Sequence, residues 1–190
     1  GNGRDAEFFG SPTWVTGKIG SNALEFDGVD DYCATSGFAT VTSAVTVACW
    51  VKNDDSAFNS NETRSFVAKV PSFYMGPVFN NTTVGWVYGN NTNVFISKDT
   101  STITGFDIAD WHHYAATWDD STKTAKLYMD GSEVASSVEP STVSMSADTG
   151  PLVFGRGDAI SRFLLGTIDD VRLYSRALTA TEIDDLFKLG

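Results

Sequence analysis

The run 44–52, Ala-Val-Thr-Val-Ala-Cys-Trp-Val-Lys, places Val45, Val47, Cys49 and Val51 on one face and Thr46, Ala48, Trp50 and Lys52 on the other. A period of two through a β-branched segment predicts a strand. Runs of similar character recur at 24–26, 31–35, 65–70, 73–79, 84–88, 94–98, 111–118, 123–129, 133–138, 151–156 and 162–174. Between them lie segments rich in Gly, Asn, Asp and Ser, residues that tolerate positive φ or bond their own backbone and so suit turns. Asp130-Gly131, between 123–129 and 133–138, is a strong hairpin signal, and Gly89-Asn90-Asn91-Thr92-Asn93 predicts a second hairpin between 84–88 and 94–98. The polar stretch 53–64 predicts a long exposed loop. The opening twenty residues carry a brief apolar beat at Trp14, Val15 and Ile19 and predict a loop, a short strand and turns at Gly17 and Gly20.

About a dozen short strands with no helices alternating between them predict an all-β fold, an antiparallel two-sheet sandwich of jelly-roll type. One short helix is predicted at the C-terminal end. Thr179 and Glu182 have capping-box spacing, Leu178 and Ile183 hold the positions of a hydrophobic staple, and Ile183, Leu186 and Phe187 form an apolar stripe that should dock on the sandwich. Neither an internal repeat nor a linker interrupts the pattern, so residues 1–190 are expected to form one domain. A body of that size buries roughly 70% of its unfolded surface and needs no disulfide framework.

A formal charge of −11 and a pI near 4.4 exclude nucleic acid and anionic membrane as partners, since both require basic surface, while leaving cations and neutral ligands open. No apolar run approaches the length of a transmembrane helix, and the start, Gly1-Asn2-Gly3-Arg4-Asp5, has no signal-peptide character; the expectation is a module excised from a larger multidomain protein. Cys33 and Cys49 fall in neighbouring strand segments and read either as a disulfide or as two buried thiols acting as small hydrophobes.

The stretch 24–32 sets Asp27, Gly28, Asp30 and Asp31 among Leu24, Phe26 and Tyr32, and 166–174 sets Asp169 and Asp170 beside Ile168 and Val171. Carboxylates carried on apolar strands call for a counter-charge, and oxygen donors from one tight turn are what a calcium ion takes. The expected metal site is Asp27, Gly28, Asp30 and one of Asp169 and Asp170, with Asp169 favoured and the other acid pairing with Arg172 or Arg176. The alternative is an ordinary Asp-Gly turn with solvated acids.

For a sugar ligand, the candidates are Tyr74, Trp86, Tyr88, Asn90, Asn91 and Asn93, with Phe95 nearby. Aromatic rings stack on the apolar face of a pyranose while amides bond its hydroxyls; Trp86 and Tyr88 share a strand face, which is either that platform or part of the core. Catalysis is not expected. A glycosidase needs two carboxylates in fixed apposition, and the six glutamates, Glu7, Glu25, Glu62, Glu133, Glu139 and Glu182, are scattered. His112 and His113 point to opposite faces of one strand and cannot chelate a metal jointly. Arg156-Gly157-Asp158 spells an adhesion triplet that also arises by chance in a Gly-rich turn. The sequons beginning at Asn61, Asn80, Asn81 and Asn90 have meaning only in a eukaryotic secretory host.

Taken in order, the segments 17–20, 23–28, 47–52, 111–118 (Trp-His-His-Tyr-Ala-Ala-Thr-Trp), 127–131 (Leu-Tyr-Met-Asp-Gly) and 166–178 (Gly-Thr-Ile-Asp-Asp-Val-Arg-Leu-Tyr-Ser-Arg-Ala-Leu) resemble the laminin-G-like jelly-roll domains of the concanavalin-A-like lectin and glucanase superfamily. The resemblance covers nearly the whole chain, although the family's usual apolar strand ahead of the Gly-Asn-Gly segment has no counterpart, which implies an altered sheet edge. It implies a secreted or cell-surface module that binds a polysaccharide, another glycan or a cell-surface protein, and in many members one calcium between the two acidic stretches. Fold does not fix function. The expected function is a non-catalytic carbohydrate-binding module, with an adhesive or structural spacer as the alternative and a lyase or hydrolase behind both.

Overall fold

The computed structural model describes residues 5–37, 39, 42–54, 64–77, 83–89, 94–157 and 162–190, and within them the alternating segments become fourteen strands. In chain order these are β1 (Ala6–Phe9), β2 (Thr13–Val15), β3 (Ala23–Asp27), β4 (Tyr32–Thr35), β5 (Ala44–Asn53), β6 (Val67–Lys69), β7 (Phe73–Pro77), β8 (Thr83–Tyr88), β9 (Val94–Asp99), β10 (Trp111–Asp119), β11 (Thr124–Met129), β12 (Ser132–Val138), β13 (Val153–Phe154) and β14 (Leu165–Tyr174). They pair antiparallel in two seven-stranded sheets, ordered β1-β4-β13-β6-β7-β8-β9 and β12-β11-β10-β5-β14-β3-β2. This is the jelly-roll sandwich that the alternation predicts.

The faces of β5 show why the sandwich holds. Val45, Val47, Cys49 and Val51 point between the sheets, into a core completed by Phe66, Met75, Trp86, Tyr114, Trp118 and Leu127. The opposite face is buried as well, because the C-terminal helix α1 (Ala180–Phe187) lies over it: Ala48, Ala115 and Tyr128 pack with Leu178 and Ile183, and Trp50 stacks on Phe187 at 5.6 Å. Thr46 stitches the helix approach to the strand, donating to the Arg176 carbonyl and accepting the Leu178 amide. The helix begins where its capping box predicts, with the Thr179 side chain accepting the Glu182 amide and Glu182 reaching back to the Thr179 amide.

Strand β1 departs from the sequence expectation. Residues 6–9 form an edge strand on β4, whereas β2 is the edge of the other sheet, so the chain crosses the open side of the sandwich between them. All four β1 residues are exposed, and its short run of side chains lacks the buried-face signal that periodicity detects. The segment 151–156 shrinks to Val153–Phe154, bounded by Pro151 and by Gly155 in the left-handed region.

Candidate functional site

Strand β3 ends at Asp27, and the chain turns through Gly28 with φ of 76°. Only glycine suits this position: the left-handed conformation disfavours a side chain, and a Cβ would lie 2.9 Å from that of Leu165. Asp27 Oδ1 closes the turn by accepting the amides of Val29 (2.8 Å) and Asp30 (3.3 Å). These backbone donors, Val29 foremost, hold the exposed Asp27 carboxyl below the ordinary carboxylate range. Asp31 is buried, and its two oxygens accept the Ser11 amide and the Asp27 amide, which ties the β1–β2 crossing to the turn. One oxygen from each of Asp27, Asp30 and Asp31 lies within 4.8 Å of the others. Beside them opens a cavity of about 330 Å³ lined by Ser11, Thr13, Glu25, Asp27, Asp31 and Asp54.

The second acidic stretch does not join this cluster. In the β3–β14 ladder Leu165 faces Asp27 and Ile168 faces Leu24, so Asp169 and Asp170 leave the pairing at its opposite end. At roughly 3.3 Å per residue, Asp169 is displaced about 13 Å along the strand from the position facing Asp27. Its Oδ2 accepts the amides of Lys18 and Ile19, both at 2.8 Å, and a bulge between Asp169 and Arg172, with Asp170 at φ of 45°, aims it there. Asp170 pairs with Arg172 at 2.8 Å. The expectation of one cation shared by both stretches is therefore corrected by the register: Asp27, Gly28, Asp30 and Asp31 form one group, and Asp169 secures the loop 17–20 instead.

The central aromatics are corrected too. Trp86 and Tyr88 do share a strand face, but it is the inward one: Trp86 packs on Phe73 at 5.0 Å and Tyr88 on Trp118 at 5.1 Å, with the Tyr88 hydroxyl donating to Glu139. Neither presents a surface to a ligand. Tyr74 is half-buried, Phe95 is exposed, and Asn90, Asn91 and Asn93 lie outside the described residues, as do Asp158 of the adhesion triplet and the sequon asparagines. Cys33 and Cys49 sit in opposite sheets as free buried thiols.

The two histidines occupy contrasting surroundings. His113 is buried beside Trp50 (5.4 Å) and Phe187, and burial brings its pKa down to about 4. His112 stacks on Phe106 at 4.1 Å, with Nδ1 2.7 Å from Asp130 Oδ2 and Nε2 2.9 Å from the Asp107 carbonyl. Burial opposes its charge, yet the bond and charge of Asp130 with the Asp107 carbonyl outweigh it, so its pKa is raised.

What the periodicity missed is the open edge of the sandwich. Trp14 on β2 is 61% exposed and Phe8 on β1 50% exposed, and their rings meet edge to face at 5.9 Å and 83°. Next to them is a groove of about 190 Å³ lined by Trp14, Asn22, Leu24, Phe154, Asp170 and Val171. On the adjoining strands Phe9 stacks flat on Tyr32 at 4.4 Å, and the Arg156 guanidinium lies 3.9 Å above the Tyr32 ring. Three aromatics in the otherwise sparse stretch 5–14 were the available signal.

Residues 27–184 match a laminin-G-type family profile described as the concanavalin A-like lectin/glucanases superfamily. No curated protein matches the sequence. Among solved structures, the chain is similar to the receptor binding domain of botulinum neurotoxin C/D mosaic serotype, at 16% identity and TM-score 0.76, over 97% of this chain and 46% of that one. It is also similar to the binding domain of Paraclostridial Mosquitocidal Protein 1, at 16% identity and TM-score 0.78, over 98% of this chain and 48% of that one. A third similar structure is the botulinum neurotoxin serotype D ligand binding domain in complex with N-acetylneuraminic acid, at 16% identity and TM-score 0.78, over 97% and 46% of the respective chains. The chain thus spans about half the length of these structures, and at such identities the likeness is one of fold.

Proposed function

The chain belongs to the laminin-G-like family of the concanavalin A-like lectin/glucanases superfamily, and on that premise we propose that it is a non-catalytic, extracellular carbohydrate-binding module stiffened by one structural calcium ion. The observation that carries the reading is the family match across the sandwich, on a fold shared with binding domains, one of them in complex with a sugar acid. The partner is a polysaccharide or other glycan, and the module serves a larger multidomain protein. Among the described residues no helix is long and apolar enough to cross a membrane.

Asp27, Asp30 and Asp31 would hold the calcium, with the Gly28 carbonyl as a further oxygen donor. Hard carboxylate oxygens within 4.8 Å of one another suit this ion, whose site would supply cross-linking and not chemistry. No reaction is assigned to it.

Binding of the purified chain to a glycan array, with no product released from a polysaccharide panel, is the expected result. The burial of Trp86 and Tyr88 favours one alternative, a spacer that contacts protein or nothing. An array without hits would overturn the glycan reading in favour of that alternative, and released product would replace both readings with an enzyme.

A further inference from the structure

We infer that the groove at the open edge of the sandwich, walled by Trp14, is a subsite for one ring of a neutral glycan. The inference rests on the glycan-binding reading and gives it a place and a ligand class. Trp14 is the one exposed tryptophan among the described residues; Trp50, Trp86 and Trp118 are buried and Trp111 is half-buried. An indole left 61% open on an edge strand is costly to solvate, whereas a pyranose offers the apolar C–H face that covers it. The ring is also held in place, because Phe8 meets it edge to face from the neighbouring sheet.

The dimensions and lining agree with this occupant. At about 190 Å³ the groove falls below the roughly 300–1,000 Å³ of pockets that engulf a whole small molecule, so it takes one residue of a chain that continues into solvent. Its lining is mostly apolar, with Leu24, Phe154 and Val171 among its residues. Asn22 and Asp170 are also lining residues, and both are of types that bond hydroxyls.

Charge selects the ligand class. The charged residues that line the groove are two acids, Asp169 and Asp170; Arg172, outside the lining, pairs with Asp170, and Arg156 lies over the Tyr32 ring. The chain as a whole carries a net charge of −11. A carboxylated sugar would be repelled, so the ligand differs in kind from the N-acetylneuraminic acid in the serotype D complex.

The test titrates neutral and sialylated oligosaccharides against the wild-type chain and its Trp14→Ala, Trp14→Phe and Asn91→Ala variants, with circular dichroism and melting temperature as controls. Neutral sugars are expected to bind and to shift tryptophan fluorescence. Trp14→Ala should weaken binding about tenfold, Trp14→Phe less, and Asn91→Ala not at all. Wild-type affinity in a folded Trp14→Ala or, if that variant does not fold, an affinity in Trp14→Phe equal to wild type with the fluorescence shift retained would overturn the subsite and leave glycan binding intact. Loss in Asn91→Ala alone would move the site to the segment between β8 and β9. Binding confined to sialylated sugars would overturn the neutral class. A wild-type chain that binds no sugar would remove the glycan reading itself.

Discussion

The ammonium of Lys69 lies 3.0 Å from the Asp148 carboxylate, with the lysine side chain fully buried and the aspartate nearly so. Lys69 also donates to the Gly150 carbonyl at 2.6 Å, and Ser72 directs its hydroxyl at Asp148. Removing one partner strands a charge in the interior. Asp148→Ala is expected to lower the unfolding free energy by about 3–5 kcal/mol, and a Lys69→Met/Asp148→Leu double variant to recover a large part of that loss. Urea unfolding of the three proteins measures both effects; equal stability of Asp148→Ala and wild type would show the pair to be dispensable.

Calcium held by the Asp27 turn predicts a chelator-sensitive melting temperature. Saturation at about 100 times the dissociation constant stabilises by about 2.7 kcal/mol, which for this size corresponds to roughly 5–10 °C. Excess EDTA should lower the melting point by that amount. Asp30→Asn should abolish the response and Asp169→Asn preserve it, since Asp169 serves the loop 17–20. An unmoved melting curve, with no metal by elemental analysis, rejects the site.

The adjacent histidines are expected to tilt stability in opposite directions with pH. The raised pKa of His112 means that the folded state holds its proton more tightly than the unfolded chain, so its contribution is complete below about 6.5 and is lost as pH rises through the folded value. His113, brought down to about 4, is penalised when the unfolded chain protonates first; stability falls between pH 6.5 and about 4, by on the order of 3 kcal/mol. Unfolding free energies across pH 4–8 should show a flatter acid limb in His113→Gln and a flatter alkaline limb in Asp130→Asn.

Neither thiol should react in the folded protein. Burial raises Cys33 to about 12 and Cys49 higher still, leaving negligible thiolate at neutral pH. An aromatic disulfide reagent is expected to label two thiols per chain in guanidinium and none without it. Fast labelling of one in native buffer would place that cysteine at the surface.

Strand alternation made the sandwich legible, because each long strand has a face that must be buried. The same alternation placed Trp86 and Tyr88 on one face without saying which way it points; the neighbours Phe73 and Trp118, decided by sheet topology, turn it inward. The acidic cluster was half legible. Asp27, Gly28, Asp30 and Asp31 belong to one turn and are local, whereas Asp169 depends on a ladder register and a bulge that no local pattern encodes. The contact of Trp14 with Phe8 escaped notice for a related reason: they become neighbours only because β1 and β2 are the edges of different sheets.

Strand β5 is the pivot of the larger structure, with Val47 facing Ala116 of β10 on one side and Leu173 of β14 on the other. Both partners leave the ribosome long after it does. During synthesis, this strand therefore waits with two unpaired edges until β10 is available and with one until β14 follows, a circumstance that slows folding and invites intermolecular pairing. A chain stopped before residue 165 would keep one of those edges open, and its fate would be aggregation and not a smaller sandwich.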